Sequence, residues 1–342
     1  MSVARVAPLL CQCFLCICPF RRLHIGAFSK GCVPLCRKVR GVIAKTASQN
    51  GRHMSEGNKS LSALRDEINS IDDDIHALLM RRAGISASVR ESKQGGSVWR
   101  PSREAQILRR LISRHEGPFP RTTIVQVWRE IVSAMVRLQG EFSVAVYATE
   151  PNRLCRDMAR DHFGSETPLI LYSSARAVLT AVQDGSAVVG VLPIPEESEK
   201  TPWWPILASM SGGGSAVCAR LPFAPGASRH SDSALCIASI PPDKSGLDRS
   251  LFVLRTSPEI SRARLNDAIA AAGIKPLRLI GHDTPPDDTS VFLAELEGYA
   301  GPDDRRITRL TDPDIGVVEA ASFIGVYALP LTEAELADRE DN

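Results

Sequence analysis

Four polar or charged residues in the first half of the chain stand where helical periodicity calls for an apolar side chain. Arg82 falls on a stripe formed by Leu64, Ile68, Ile71, Ile75, Leu78, Ile85 and Val89. Steps of four and three keep one face of a helix toward a partner. Lys93 follows Arg82 by about three turns on nearly the same face. Glu104 shares a stripe with Leu108 and Leu111, and Gln139 continues the seam of Val125, Trp128, Val132 and Met135. A cation on a buried seam is costly unless a negative group meets it, and an anionic ligand meets two such cations most simply. Singly, each residue reads as a stem snorkelling to solvent or an internal salt bridge such as Arg82–Glu104. Together, on consecutive segments, they point to a polar pocket inside a helical bundle.

Three helices must position these groups. The stripe predicts one long helix over Leu61–Lys93, roughly 48 Å at 1.5 Å per residue, stopped by Gly95-Gly96. A second begins near Pro101, because proline suits the first helical position, and ends at Gly117-Pro118-Phe119-Pro120. A third runs from about Thr122 to Gly140. Asp72-Asp73-Asp74 and Arg65-Asp66-Glu67 read as solvated faces. The length of the first helix calls for a long antiparallel partner or a second copy of itself.

At 342 residues the chain has room for two or three domains. A formal net charge of +2 gives no warrant for nucleic-acid or membrane-surface binding. Of nine cysteines, Cys11, Cys13, Cys16, Cys18, Cys32 and Cys36 lie in the first sixty residues. Their apolar setting, with no carboxylate beside them, argues against a metal site. Residues 1–53 hold no Asp or Glu, and the apolar run Val6–Phe20 is too short to span a membrane. The stretch reads as a targeting segment or as sequence upstream of a start at Met54. The second reading is preferred because composition changes abruptly there, and 1–53 is set aside from fold reasoning.

The residues Leu64-Arg65-Asp66-Glu67-Ile68, Ile71-Asp72, Leu78-Leu79-Met80-Arg81-Arg82, Lys93, Arg100-Pro101-Ser102-Arg103-Glu104 and Gln139 resemble the all-helical chorismate mutase family over about 61–141. The resemblance implies an intertwined homodimer that rearranges chorismate to prephenate by a pericyclic shift, with no cofactor. It implies that Arg65 binds a substrate carboxylate in the partner's pocket, that Arg82 binds one in its own, and that Arg103 supports that network. Lys93 and Gln139 would donate to the ether oxygen, and Glu104 would accept from the ring hydroxyl. Those roles make physical sense, since arginine forks match carboxylates and fixed donors at an oxygen gaining charge lower the barrier. Arg65 lies about 100° around the helix from Arg82, of use only to a second chain. Two positions depart from the commonest pattern: Arg100 replaces an aspartate whose contact is usually through the main chain. Met135 replaces a small polar residue, removing a possible hydrogen bond to substrate.

From Phe142 the pattern becomes α/β: strands at Ser143–Tyr147, Leu169–Tyr172 and Ala187–Leu192 alternate with helices at Arg153–Phe163 and Ala175–Gln183, predicting a mostly parallel sheet. Gly212-Gly213-Gly214 lacks the following Lys-Ser/Thr of a phosphate loop. Ala159-Arg160-Asp161-His162-Phe163-Gly164 and Gly190-Val191-Leu192-Pro193-Ile194 resemble a prephenate dehydratase domain over 142–245. Arg249-Ser250-Leu251-Phe252-Val253, Ala272-Gly273-Ile274 and Phe292-Leu293-Ala294-Glu295-Leu296-Glu297-Gly298 are similar to an ACT regulatory region over 246–330, implying an aromatic amino-acid effector. The dehydratase marks are missing: Ser233-Ala234-Leu235 and Pro195-Glu196-Glu197-Ser198 stand in their places, so no dehydratase activity is expected. Ser257-Pro258-Glu259 replaces the ACT glycine turn, and an acidic tail from 331, frayed from Glu333 onward, closes the chain. The expectation is a cytoplasmic chorismate mutase carrying a degenerate dehydratase-like part. The alternatives are a silent helical dimerisation module with a small-molecule-binding domain, and a bifunctional mutase–dehydratase.

Overall fold

A computed structural model describes residues 59–92, 98–150, 153–197, 199–210, 214–225, 233–284 and 289–338. The stretch 1–53, the cysteine run and Lys93 lie outside the described residues. The described residues begin with three helices: α1 (Leu61–Ser92), α2 (Pro101–Ser113) and α3 (Arg121–Gln139). The first turns of α1 are fixed by Ser60 Oγ, which accepts from the Ala63 amide at 3.2 Å, and by an exposed Lys59–Glu67 ion pair at 2.7 Å.

Among the described residues, nothing buries the apolar stripe of α1. Leu64, Ile68, Ile71, Ile75, Leu78, Ile85 and Val89 remain 39 to 62 % exposed. In its later turns the face turned inward is Leu79, Arg82, Ala83 and Ser86, all half-buried. Arg82 therefore sits where the stripe meets that inner face, not in the middle of a covered seam. Periodicity shows that a face is apolar; it does not say which molecule covers it.

The α/β part holds β1 (Val144–Tyr147), α4 (Leu154–Phe163), β2 (Leu169–Tyr172), α5 (Ala175–Gln183), β3 (Val189–Pro193), α6 (Trp204–Ser209), β4 (Ala216–Leu221) and β5 (Ala234–Ala238). After it come β6 (Asp248–Thr256), α7 (Arg262–Ala271), β7 (Pro276–Thr284), β8 (Thr289–Glu297), α8 (Arg305–Leu310) and β9 (Ala320–Ala328). The nine strands of the described residues form one sheet in the order β2-β1-β3-β5-β4-β9-β6-β8-β7. The sheet is mixed, which corrects the expectation of mostly parallel strands. Parallel pairing is confined to β1–β2, β1–β3 and β4–β9. The helical crossovers α4 and α5 force it at β1–β3, whereas β3–β5, β4–β5 and every pair within β6–β9 run antiparallel.

The β6-α7-β7-β8-α8-β9 unit has the strand order β9-β6-β8-β7, the split β-α-β arrangement of ferredoxin-like folds. It joins the rest of the sheet through one residue pair, Val217 with Gly325. A Cβ on Gly325 would stand 2.3 Å from the Val217 carbonyl oxygen, so only glycine permits the strands to meet. Alternation along β1 sends Ala145 toward α5 and α6, and Val144 and Val146 toward α4, Trp99 and Val136.

The helical pair α2–α3 packs on this α/β body. Ala105, Leu108, Ile112 and Val125 share a core with Phe223, Ala224, Ala328, Leu331 and Leu336. Arg109 on α2 donates to the carbonyls of Leu247 and Leu329 at 3.0 and 2.7 Å. The C-terminal segment is not frayed through Asp338. Thr332 and Glu335 form a capping box for α9 (Glu333–Leu336), and Arg121 is bonded to the Asp338 carboxylate and the Glu335 carbonyl. Buried Leu336 supplies the apolar anchor that a reading by charge alone overlooks. Among the described residues no helix is long and apolar enough to cross a membrane.

Candidate active site

Proline at the first position of α2 sets the helix so that Glu104 falls among Ala105, Leu108 and Ile112 on the buried face. Its carboxylate is 8 % exposed as a residue and accepts from Arg129 Nη1 on α3 at 2.8 Å. The Trp99 indole also donates to it. Burial pushes the Glu104 carboxyl up, and the Arg129 charge is the largest opposing influence. Burial likewise pushes the Arg129 guanidinium down, against Glu104. At 2.8 Å, with arginine's high basicity, the pair is ionic.

Arg129 is held from the far side as well. Its Nη1 donates to His162 Nε2 on α4 at 3.3 Å, and its guanidinium carbon lies 5.3 Å from the centre of the Phe223 ring. Burial first, then the Arg129 charge, holds His162 well below its usual range. A neutral imidazole accepting at Nε2 carries its proton on Nδ1.

Sequence reading missed both residues, though the signal was present. Arg129 lies four after Val125 and three before Val132, the same test that singled out Arg82. His162 lies four after Met158 and seven after Cys155, all on the buried face of α4.

The stability consequence of His162 has a definite sign. A histidine depressed on folding contributes stability above its unfolded value near 6.5, and loses it as pH falls below. Unfolding by urea should therefore show a loss of about 1.4 kcal/mol between pH 7.5 and 5.5 from this group. Glu104, raised on folding, acts in the opposite sense: its contribution is present in acid and lost as pH rises. Comparison with His162→Gln, which keeps an acceptor for Arg129, isolates the histidine. An acid-side loss of equal size in that variant would exclude His162 as the cause.

Arg82 approaches the same carboxylate from α1. Burial lowers its guanidinium, and the Glu104 charge raises it. Its Nη1 is buried with no hydrogen-bond partner among the described residues. A buried N–H left open carries a desolvation cost of about 1–3 kcal/mol or more when charged, which an incoming anion would remove.

The other expected residues stand differently. Met135 is buried on α3, and half-buried Gln139 folds its amide back to donate to the Met135 carbonyl at 3.1 Å. Arg103 is exposed and donates to Gln106 Oε1 at 3.3 Å, so the structure does not bring it to Glu104. One residue before Glu104 on a helix is 100° away from the buried face. Arg100 is exposed and pairs with Asp243 at 2.7 Å, where Ser102 Oγ also donates at 2.8 Å. Arg65 is exposed on α1. The free thiols Cys155, Cys218 and Cys236 are pushed up by burial, Cys155 to about 12, and are poor nucleophiles. Among the described residues no group of His, Cys, Asp and Glu could hold a metal ion.

A three-helix module with a buried cation–carboxylate pocket, fused to a mixed sheet, is thus the class that fold and site define. By sequence, residues 64–140 match the chorismate mutase type II family. The chain is 32% identical over 100 residues to the bifunctional chorismate mutase/prephenate dehydratase of Neisseria gonorrhoeae (strain ATCC 700825 / FA 1090), covering 29% of this chain and 27% of the relative. It is 30% identical over 142 residues to the enzyme of the same description from Aquifex aeolicus (strain VF5), covering 40% and 39%. The chain therefore spans about a quarter to two fifths of the length of these curated relatives. Among solved structures, GqqA, described as a novel type of quorum-quenching acylase, is 16% identical with a TM-score of 0.43, covering 58% of this chain and 100% of that one. Prephenate dehydratase from Streptococcus mutans is 12% identical with a TM-score of 0.41, covering 55% and 98%. At these scores neither likeness says anything of this chain's activity.

Proposed function

We propose that the chain is a chorismate mutase, rearranging chorismate to prephenate in aromatic amino-acid biosynthesis. The observation that carries this is the open, buried Nη1 of Arg82 beside the Glu104 carboxylate, in a module whose sequence matches the chorismate mutase family. Arg82 would take a substrate carboxylate and Glu104 the ring hydroxyl. Lys93 and Gln139 would donate to the breaking ether bond, for which Gln139 must leave the Met135 carbonyl. The barrier falls because donors strengthen as that oxygen gains charge and because the flexible substrate is held in its reactive chair. Arg65 would complete the pocket of a second copy, with the exposed α1 stripe as the shared interface. A cytoplasmic setting suits this biosynthetic chemistry. The ferredoxin-like unit is the place where an aromatic amino acid would act, tested by titrating phenylalanine and tyrosine against activity.

The test is the loss of chorismate absorbance on adding purified 54–342. A folded dimer that turns over no chorismate at any pH would refute the reading and leave the dimerisation module in its place. A second reading, the bifunctional enzyme, is favoured by the Aquifex aeolicus relative, whose similarity covers 40% of this chain, more than the helical module alone. Phenylpyruvate formed from chorismate without acid treatment would establish it. Its absence, with mutase turnover present, would leave the mutase alone.

A further inference from the structure

We propose that Arg129 is a positioning residue for Glu104: by holding the carboxylate from the α/β side, it leaves the Arg82 guanidinium free for the substrate's carboxylate. The inference rests on the mutase reading, but it concerns a residue that none of the expected roles includes.

The geometry separates two cations that face one anion. Arg129 is 7 % exposed and spends Nη1 on Glu104 at 2.8 Å and on His162 at 3.3 Å. Arg82 is half-buried, feels the Glu104 charge, and keeps Nη1 open. Without Arg129, the cation among the described residues able to satisfy a buried Glu104 is Arg82 itself. An internal Arg82–Glu104 salt bridge would then occupy both groups that the substrate needs. The anchors of Arg129, His162 on α4 and Phe223 after β4, belong to the α/β body. The sheet-bearing part of the chain thereby acts on the helical pocket through one side chain.

Among the described residues the groups facing Glu104 are Arg82 on α1, Trp99 before α2, Arg129 on α3, His162 on α4 behind Arg129, and the thiols of Cys218 on β4 and Cys236 on β5. The thiols and the depressed histidine stay neutral near pH 7, so of these groups the two arginines are the charges that set its ionisation. Removing Arg129 keeps the burial and takes away the larger opposing influence; Arg82, half-buried and the smaller influence, replaces it only in part, so Glu104 moves further up.

The experiment uses the full chain with 13C-carboxyl-labelled glutamate, Glu104 being assigned by its absence in Glu104→Gln. In Arg129→Met the Glu104 titration should move to higher pH, and the acid limb of kcat/KM for chorismate should move with it. At pH 7 kcat/KM should fall about tenfold or more, through KM as well as kcat, because Arg82 is diverted. Arg129→Lys, which keeps the charge, should retain the wild-type limb and most of the activity. An unmoved titration in folded Arg129→Met would overturn the proposal, as would a pH-independent loss of activity. If the methionine variant does not fold, a limb displaced in Arg129→Lys as far as total loss of the cation requires would overturn it equally. A wild-type protein without turnover would refute the mutase reading, while the carboxyl titration would still decide what holds Glu104.

Discussion

Arg82→Ala is expected to lower kcat/KM for chorismate by about 10²–10³-fold, the loss typical of a preorganised donor to developing or fixed negative charge. The same change should leave the unfolding midpoint unmoved or slightly raised. Arg82 gives its buried Nη1 to no partner among the described residues, so truncation breaks no bond there and removes a guanidinium that folding has partly desolvated. The contrast is with Arg129, whose removal would leave the buried Glu104 to the half-buried Arg82; breaking a buried pair costs up to about 3–5 kcal/mol. A cation kept for structure and a cation kept for a ligand thus give opposite patterns in paired measurements of initial rate and urea midpoint. Unaltered turnover in folded Arg82→Ala would remove the guanidinium from the site. A large loss of stability would place it among the structural ion pairs instead.

The helices were readable because local punctuation marks them, such as Pro101 at the start of α2, though α2 stops at Ser113, ahead of the Gly117-Pro118-Phe119-Pro120 signal. The first three strands and α4 and α5 were readable for the same reason, since apolar runs and amphipathic helices alternate there. How the later strands pair was not. The pairing of β9 between β4 and β6 depends on contacts between residues about 65 to 108 positions apart, for which no local pattern exists. Glu104 and Arg82, which the structure brings together, are legible because they interrupt an apolar stripe. Arg129 interrupts one equally, but α3 was read through the residues that agreed with its seam. Arg103 is the opposite case: the motif gives it a supporting role, and its angular position on α2 turns it to solvent in this chain. The stripe of α1 is the instructive case. Its period was correct and its partner could not be named, because burial by a second molecule and burial by one's own chain leave the same pattern in a sequence.

That stripe leads to the second large effect. Arg65→Ala and Arg82→Ala, each inactive alone, should recover about one quarter of wild-type activity when mixed in equal amounts and allowed to exchange subunits. The figure follows from counting. Half of the dimers are then mixed, and in each of them one pocket has lost both arginines while the other keeps both. Such recovery requires that Arg65 of one subunit serve the pocket of the other, which fits a position about 100° around the helix from Arg82. It requires also that dimers form through the exposed residues of α1, including Ile71, Ile75 and Leu78, whose contiguous apolar surface is unusual for a monomer. Mixing experiments with Ile75→Glu added to both chains supply the control, because a buried carboxylate pair at a symmetric interface opposes assembly. Recovery that vanishes in this background ties complementation to the α1 face. Two variants that exchange subunits, form mixed dimers and stay inactive would show that Arg65 and Arg82 serve the same pocket, and the shared site would have to be abandoned.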